Sequence, residues 1–278
     1  MSKIADKIRD VGLFRVAAEL EDLARNAIQL VVTPDLPTTI GTSRLGGLPD
    51  LPDEIKWPTW NDVPLAFIAQ INLAEAEPFD LEGCLPKSGM LYFFYEAARQ
   101  TWGYDPKDSG SCRVFFYDSP PSSLKRRTAP DGLPSECAFP PQAVLLEPEM
   151  LLPSWSSIDI ERLNLSEDEK ERYFDLTDAV LPENSRHWLL GHPDQIQNDM
   201  QLECQLASNG IYCGDASGHQ DPRRPILEKT ASDWRLLLQV DSDEHMTWGD
   251  VGHIYFWIRK QDLGERDFSN CWLILQCT

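Results

Sequence analysis

Residues 88–96 read SGMLYFFYE and residues 251–259 read VGHIYFWIR, so one chain spells Gly-x-aliphatic-Tyr-Phe-aromatic twice. A glycine followed by an unbroken run of aromatic and branched residues predicts a strand buried on both faces, with glycine at the tight entry. Two such strands demand a core wide enough to cover both. Neighbouring segments repeat in the same order. FIAQINL (67–73) aligns with LLLQVDS (236–242), setting Gln70 over Gln239 and Asn72 over Asp241. Upstream, LGGLPD (45–50) resembles LGHPD (190–194); downstream, CRVFFY (112–117) resembles CWLILQ (271–276). From Gln to Gly the spacing is 19 residues in the first set and 13 in the second, which places the length differences in loops. Two repeats make no solenoid. The expectation is an α+β, mainly β fold: pseudo-duplicated β-rich halves, about 35–118 and 185–278, with an antiparallel or mixed sheet covered by a few helices. The whole of 1–278 is expected to form a single domain about a pseudo-two-fold, and 278 residues suffice for one large core.

Between and around the repeats the chain is less regular. Ile4, Ile8, Val11, Phe14, Leu20, Leu23, Ala27 and Ile28 recur at helical spacing and predict an amphipathic helix over 1–30. Buried strands are predicted at Leu65–Leu73, Met90–Tyr95 and 113–117. IGTSRLGGLPDLPDEIKWP (40–58) is dense in glycine and proline but lacks the spacing of a phosphate loop, so tight turns are expected there. Eight prolines within 119–153 predict an irregular connector between the halves. Ser166-Glu167-Asp168-Glu169 is a capping box and predicts a helix from about 167 to 180. Over 196–210 the choice lies between strand alternation and a helix ending at Asn209-Gly210, with the helix favoured.

With 45 acidic against 25 basic residues the net charge is −20, which repels phosphate backbones and anionic lipid and leaves a basic protein as the expected partner. No uninterrupted apolar run approaches the roughly 18 residues of a membrane span. Seven cysteines without a C-x-x-C fit reduced thiols, and a cytoplasmic location is expected.

The series GTSRLGGLPDLP, PLAFIAQINL, LPKSGMLYFF, LLGHPDQIQ, MQLECQLASNGIYCGD, DWRLLLQVDSD, WGDVGHIYFWI and DFSNCWLILQC resembles the YwqG-like family of uncharacterised bacterial proteins, the DUF1963 group, over roughly residues 35–278. The resemblance implies a mainly β, helix-supported fold and no settled reaction. It also implies a link of some relatives to toxin and immunity systems.

Chemistry is sparsely signalled. There is no G-x-S-x-G elbow and no cysteine in a catalytic setting with histidine. DSDEHMTWGD (241–250) gathers Asp241, Asp243, Glu244, His245 and Asp250, but Met246 and Gly252 stand where a calcium loop needs Gly and Glu, so a solvated acidic loop is expected. Cys204, Cys213 and His219 lack zinc-knuckle spacing. No cofactor and no metal is expected. In LLGHPDQIQ, His192 and Asp194 are read as a ligand or partner contact, or as the capped start of a helix with Pro193 at its first position. Gln70 and Gln239, amides within apolar strands, either serve backbone groups or line a cleft between the halves. The leading expectation is a non-enzymatic binding protein that meets a basic partner through an acidic face carrying exposed tryptophans, Trp60, Trp102 or Trp248, beside Asp250. An immunity-type role is one version. The alternative is a small-molecule or metal-dependent enzyme with Gln70, His192, Asp194 and Gln239 converging in a cleft.

Overall fold

A computed structural model describes residues 3–118, 121–182 and 186–278. Its centre is a ten-stranded antiparallel sheet. In chain order the strands are β1 (Arg25–Val32), β2 (Arg44–Leu45), β3 (Ala66–Asn72), β4 (Met90–Tyr95), β5 (Cys112–Tyr117), β6 (Gln142–Leu151), β7 (Trp188–Leu190), β8 (Trp234–Asp241), β9 (His253–Arg259) and β10 (Trp272–Gln276). Across the sheet they run β10-β9-β8-β7-β1-β6-β2-β3-β4-β5. The sheet curls until it is nearly a closed barrel. Phe93 on β4 meets Phe256 on β9 edge-to-face at 5.2 Å, although these strands lie near opposite ends of the strand order. The last gap is bridged by a loop: Leu275 N donates to the Trp102 carbonyl at 3.1 Å and Trp272 Nε1 to the Gly103 carbonyl at 2.8 Å. The bridge occupies part of the β10 edge that would otherwise be open to another chain.

The predicted strands at 65–73, 90–95 and 113–117 are present within a residue or so. Every residue of β4 is buried, so the doubled aromatic run fills the core from both copies, as β9 does from Ile254 to Ile258. Two of the expectations are corrected. The amphipathic helix over 1–30 is two short helices, α1 (Lys3–Asp10) and α2 (Ala17–Leu23), separated at Gly12 (φ 76°). Of its apolar stripe Ile4, Ile8 and Leu20 are buried, but Phe14 is 72% exposed, and Ala27 and Ile28 belong to β1. The proline-rich connector likewise contains β6, a ten-residue strand paired with β1 from Arg25↔Leu151 to Val32↔Val144. Pro148 is tolerated there because β2 flanks β6 only at Gln142 and Ala143, leaving the far side of Pro148 without a strand that would need its missing amide.

Helix α3 (Glu167–Val180) starts at the predicted capping box, with both reciprocal bonds made, and α4 (Met200–Ala207) is a helix capped by Asp199. Tyr173, Leu176 and Val180 lie along one face of α3 and pack with Ile4, Ile8, Leu13 and Leu20 into a satellite core. That core lies beside the Arg25–Leu151 end of the central β1–β6 pair, where Leu152 joins it. It also fixes the direction in which the rest of α3 faces solvent. No helix among the described residues is long and apolar enough to cross a membrane.

Candidate functional site

The two glutamines are corner clamps. Gln70 Oε1 accepts from Asp50 N at 2.9 Å, while Nε2 donates to the Thr42 carbonyl at 2.8 Å and to Asp50 Oδ2 at 3.0 Å. Gln239 Oε1 accepts from Asp194 N at 2.9 Å, and its Nε2 donates to the Arg186 carbonyl at 2.9 Å. Each corner is closed by a tyrosine: Tyr92 hydroxyl donates to the Asp50 carbonyl and Tyr255 hydroxyl to the Asp194 carbonyl, both at 2.6 Å. Both amides are fully buried, and their hydrogen bonds go to the turns 42–50 and 186–194. The four residues proposed to converge therefore do not: Asp194 and Gln239 meet at one corner with His192 in the same turn, and Gln70 serves the other. His192 Nε2 lies 2.8 Å from the Leu23 carbonyl and begins no helix, and burial lowers its pKa to about 3.

The corners differ in their charged chemistry. Asp50 is fully buried and saturated by Arg44 (2.7 Å), Arg126 (2.9 Å), Gly41 N (2.9 Å) and Gln70. Asp194 keeps part of its carboxylate exposed and pairs with Arg186, while His253 Nε2 stands 4.0 Å away. The same His253 nitrogen is 3.1 Å from Asp241 Oδ1, off hydrogen-bond alignment, so neither ring nitrogen has a hydrogen-bond partner. Burial, with Arg186 and His187 nearby, lowers the His253 pKa to about 3; burial raises that of Asp241 to about 6. His187 completes the group. Its Nδ1 accepts from Asp241 N at 3.0 Å, its Nε2 is 3.9 Å from Asp243, and burial lowers its pKa to about 4. Burial therefore favours the neutral form of both imidazoles, which stand beside the carboxylates of Asp194, Asp241 and Asp243. Among the described residues no three His, Cys, Asp or Glu side chains are placed to hold a metal ion; the His219 side chain lies outside the described residues.

The expected tryptophan face is not assembled. Trp248 is fully buried, its Nε1 donating to the Asp241 carbonyl at 3.2 Å and its ring meeting those of Tyr95 and Phe139 edge-to-face. Trp102 is half-buried against the main core, and Trp60 is half-buried with its Nε1 on the Ser109 carbonyl at 3.1 Å. Asp250 is exposed in the 241–252 loop. That loop is more ordered than a solvated acidic loop, because Asp243 Oδ1 accepts from His245 N and Met246 N at 2.7 Å each and Met246 is buried.

The exposed aromatics lie elsewhere. Trp155 is 62% exposed and Phe174 59% exposed, and both line one open groove of about 840 Å³ with Ile160 and Leu165 at its base. The helical period explains this: Tyr173 points inward, so Phe174, about 100° further round α3, points out. Tyr173 hydroxyl donates to the Pro153 carbonyl at 2.6 Å and so holds the segment bearing Trp155 beside the helix. Glu161 and Glu171 rim the groove; its one lysine, Lys170, is paired with Glu167 at 2.7 Å. A second cavity of about 210 Å³ shares Trp155 and Phe174 and reaches Asp178, Arg186 and Asp194. Sequence reasoning passed over Trp155 and Phe174. The available signal was an aromatic among charged neighbours, KERYFDL, one step off the buried stripe.

The family model described as "Domain of unknown function (DUF1963)" matches residues 43–277, most of the chain. No curated protein matches. The chain belongs to the DUF1963 family.

Proposed function

We propose that this DUF1963 protein is a protein-binding module whose docking surface is the groove between Trp155 and Phe174, and that its partner presents a basic segment with an apolar anchor. The carrying observation is the groove itself: two large aromatics left in water above an apolar base, inside an acidic rim. Aromatic anchors in such a setting dominate binding energy, and a −20 protein accelerates encounter with a basic partner. The partner is a protein and neither nucleic acid nor membrane. An immunity-type role, in which the basic partner is a toxin, follows from the same charge argument, as does a cytoplasmic setting from seven unpaired cysteines.

The test is fluorescence anisotropy with a labelled amphipathic lysine–leucine peptide, for wild type, Trp155→Ala and Phe174→Ser. Truncating a hot-spot aromatic costs about 2 kcal/mol, or roughly 30-fold in affinity. Binding should also weaken as salt rises. Equal affinity in all three proteins sinks the proposal.

We further infer that residues 35–118 and 185–278 are copies of one β-rich unit. Support comes from the strand order, which reads β2-β3-β4-β5 outward from one side of the β1–β6 pair and β7-β8-β9-β10 from the other. Both β3 and β8 carry an irregularity two residues before the clamp glutamine. Gly46 (φ 58°) and Leu190 (φ 60°), then Gly47 (φ 72°) and Gly191 (φ 68°), repeat one turn. Within it, Arg44 donates to the Leu48 carbonyl where Trp188 donates to that of His192. His253, Asp241 and His187 then stand where the first copy has Met90, Asn72 and Ser43, so the histidines belong to the second corner alone.

A further inference from the structure

A cavity of about 260 Å³ opens beside the turn that follows β7, away from the aromatic groove, and Arg25, Arg235 and Lys260 line it over a floor of Leu190, Leu236 and Leu263. The sheet order explains the convergence. Arg25 begins β1 and Arg235 is the second residue of β8, the two strands on either side of β7. β7 stops at Leu190, and Gly191 (φ 68°) turns the chain away; a Cβ there would sit 2.7 Å from that of Ala27. Lys260, directly after β9, adds a third cation to the same rim.

Neither arginine is exposed, and among the described residues neither arginine side chain nor that of Lys260 makes a hydrogen bond or an ion pair. Arg15, Arg44, Arg126, Arg186 and Arg223 all lie on carboxylates. A chain with 45 acids against 25 bases has ample carboxylate to neutralise every arginine, so two half-buried, unpaired guanidinium groups on one cavity are a cost that a ligand would offset. The one carboxylate on the rim, Glu82, is exposed and accepts from Asn26 N at 3.3 Å. A screening length of about 8 Å at physiological salt removes most of the repulsion from acids elsewhere on the molecule.

We infer that Arg25, Arg235 and Lys260 form a binding site for a small phosphate-bearing molecule, with the phosphate between the two guanidinium groups and the remainder over the leucine floor. Two planar forks and an ammonium suit a doubly charged tetrahedral oxyanion, for which a single-charge carboxylate is a poorer match. The site is independent of the aromatic groove and stands whether or not a protein docks there.

The experiment is isothermal titration with inorganic phosphate at constant ionic strength, then with ribose 5-phosphate and with acetate, on the full chain. Wild type should show saturable 1:1 binding. Arg25→Gln and Arg235→Gln should each weaken it about tenfold, the typical loss of one charge-assisted contact. Lys229→Gln, an exposed lysine that does not line the cavity, should leave it unchanged, and urea midpoints should confirm that all three variants fold. Ribose 5-phosphate should bind at least as tightly as phosphate, by covering the leucines. If no saturable binding is seen, or if the three variants respond alike, the site does not exist. If acetate binds as well as phosphate, the assignment to phosphate chemistry fails.

Discussion

Replacing Gln70 or Gln239 by leucine tests whether the buried amides hold the two corners. Leucine keeps approximate volume and strand preference, so the change isolates the polar contacts. Gln70→Leu leaves Asp50 N and the Thr42 carbonyl without their partner and removes one of the donors on the Asp50 carboxylate. At about 1–3 kcal/mol for each buried group left unpaired, the loss should be about 4 kcal/mol. Gln239→Leu orphans Asp194 N and the Arg186 carbonyl and should cost about 3 kcal/mol, with no carboxylate involved. Urea denaturation followed by tryptophan fluorescence reads both. With a slope of roughly 3 kcal/mol per molar urea, each variant should unfold about 1 M earlier. The two losses should add in the double variant, since the clamps share no partner. Losses below about 1 kcal/mol in both single variants would refute the clamp reading and reopen a solvated cleft at these positions.

Other outcomes follow from the same contacts. Gly103→Ala should be severely destabilising, because at φ 86° its Cβ would lie 1.9 Å from the Leu273 carbonyl oxygen, and thermal unfolding should show a fall of many degrees. Asp50 is held at about 2, with burial opposed and outweighed by its bonds to Arg44 and Arg126, against about 3.9 in an unfolded chain. Its contribution is therefore fully present above about pH 4 and lost as pH falls towards 2, on the order of 2 kcal/mol, a fall that Asp50→Asn should abolish in acid titrations of stability. Native thiols should resist alkylation at pH 8, since burial raises Cys112 to about 12 and Cys84 to about 11; rapid labelling of either by iodoacetamide would contradict this packing.

What could be seen in the sequence followed from local rules. The strands at 66–72 and 90–95 are continuous apolar runs, and α3 begins at a capping box whose both bonds form. β6 was hidden because Pro148 argues against a central strand, and only the shortness of β2 removes the objection. α1 and α2 read as one helix because the apolar stripe continues, at nearly helical spacing, into the alternation of β1. Of the candidate residues, Gln70 and Gln239 were legible as anomalies, but their partners lie in turns whose folding no local pattern reveals. Trp248 looked like a surface anchor within an acidic loop, yet the Asx turn at Asp243 draws the loop inward. Arg25, Arg235 and Lys260 are brought together by strand order alone. No window of sequence contains them.

The strand order also sets a timetable for synthesis. β1 is made early but must wait for β6, some 120 residues later, and then for β7 on its other side. β10, residues 272–276, is made after the other nine described strands of the sheet and is the one that meets the Trp102–Gly103 bridge. A nascent chain can pair β3 with β4 and β4 with β5 while the ribosome is still working, but it carries open strand edges throughout. A product that stops before residue 272 lacks the strand that meets the Trp102–Gly103 bridge and leaves the outer edge of β9 open to pairing with another chain.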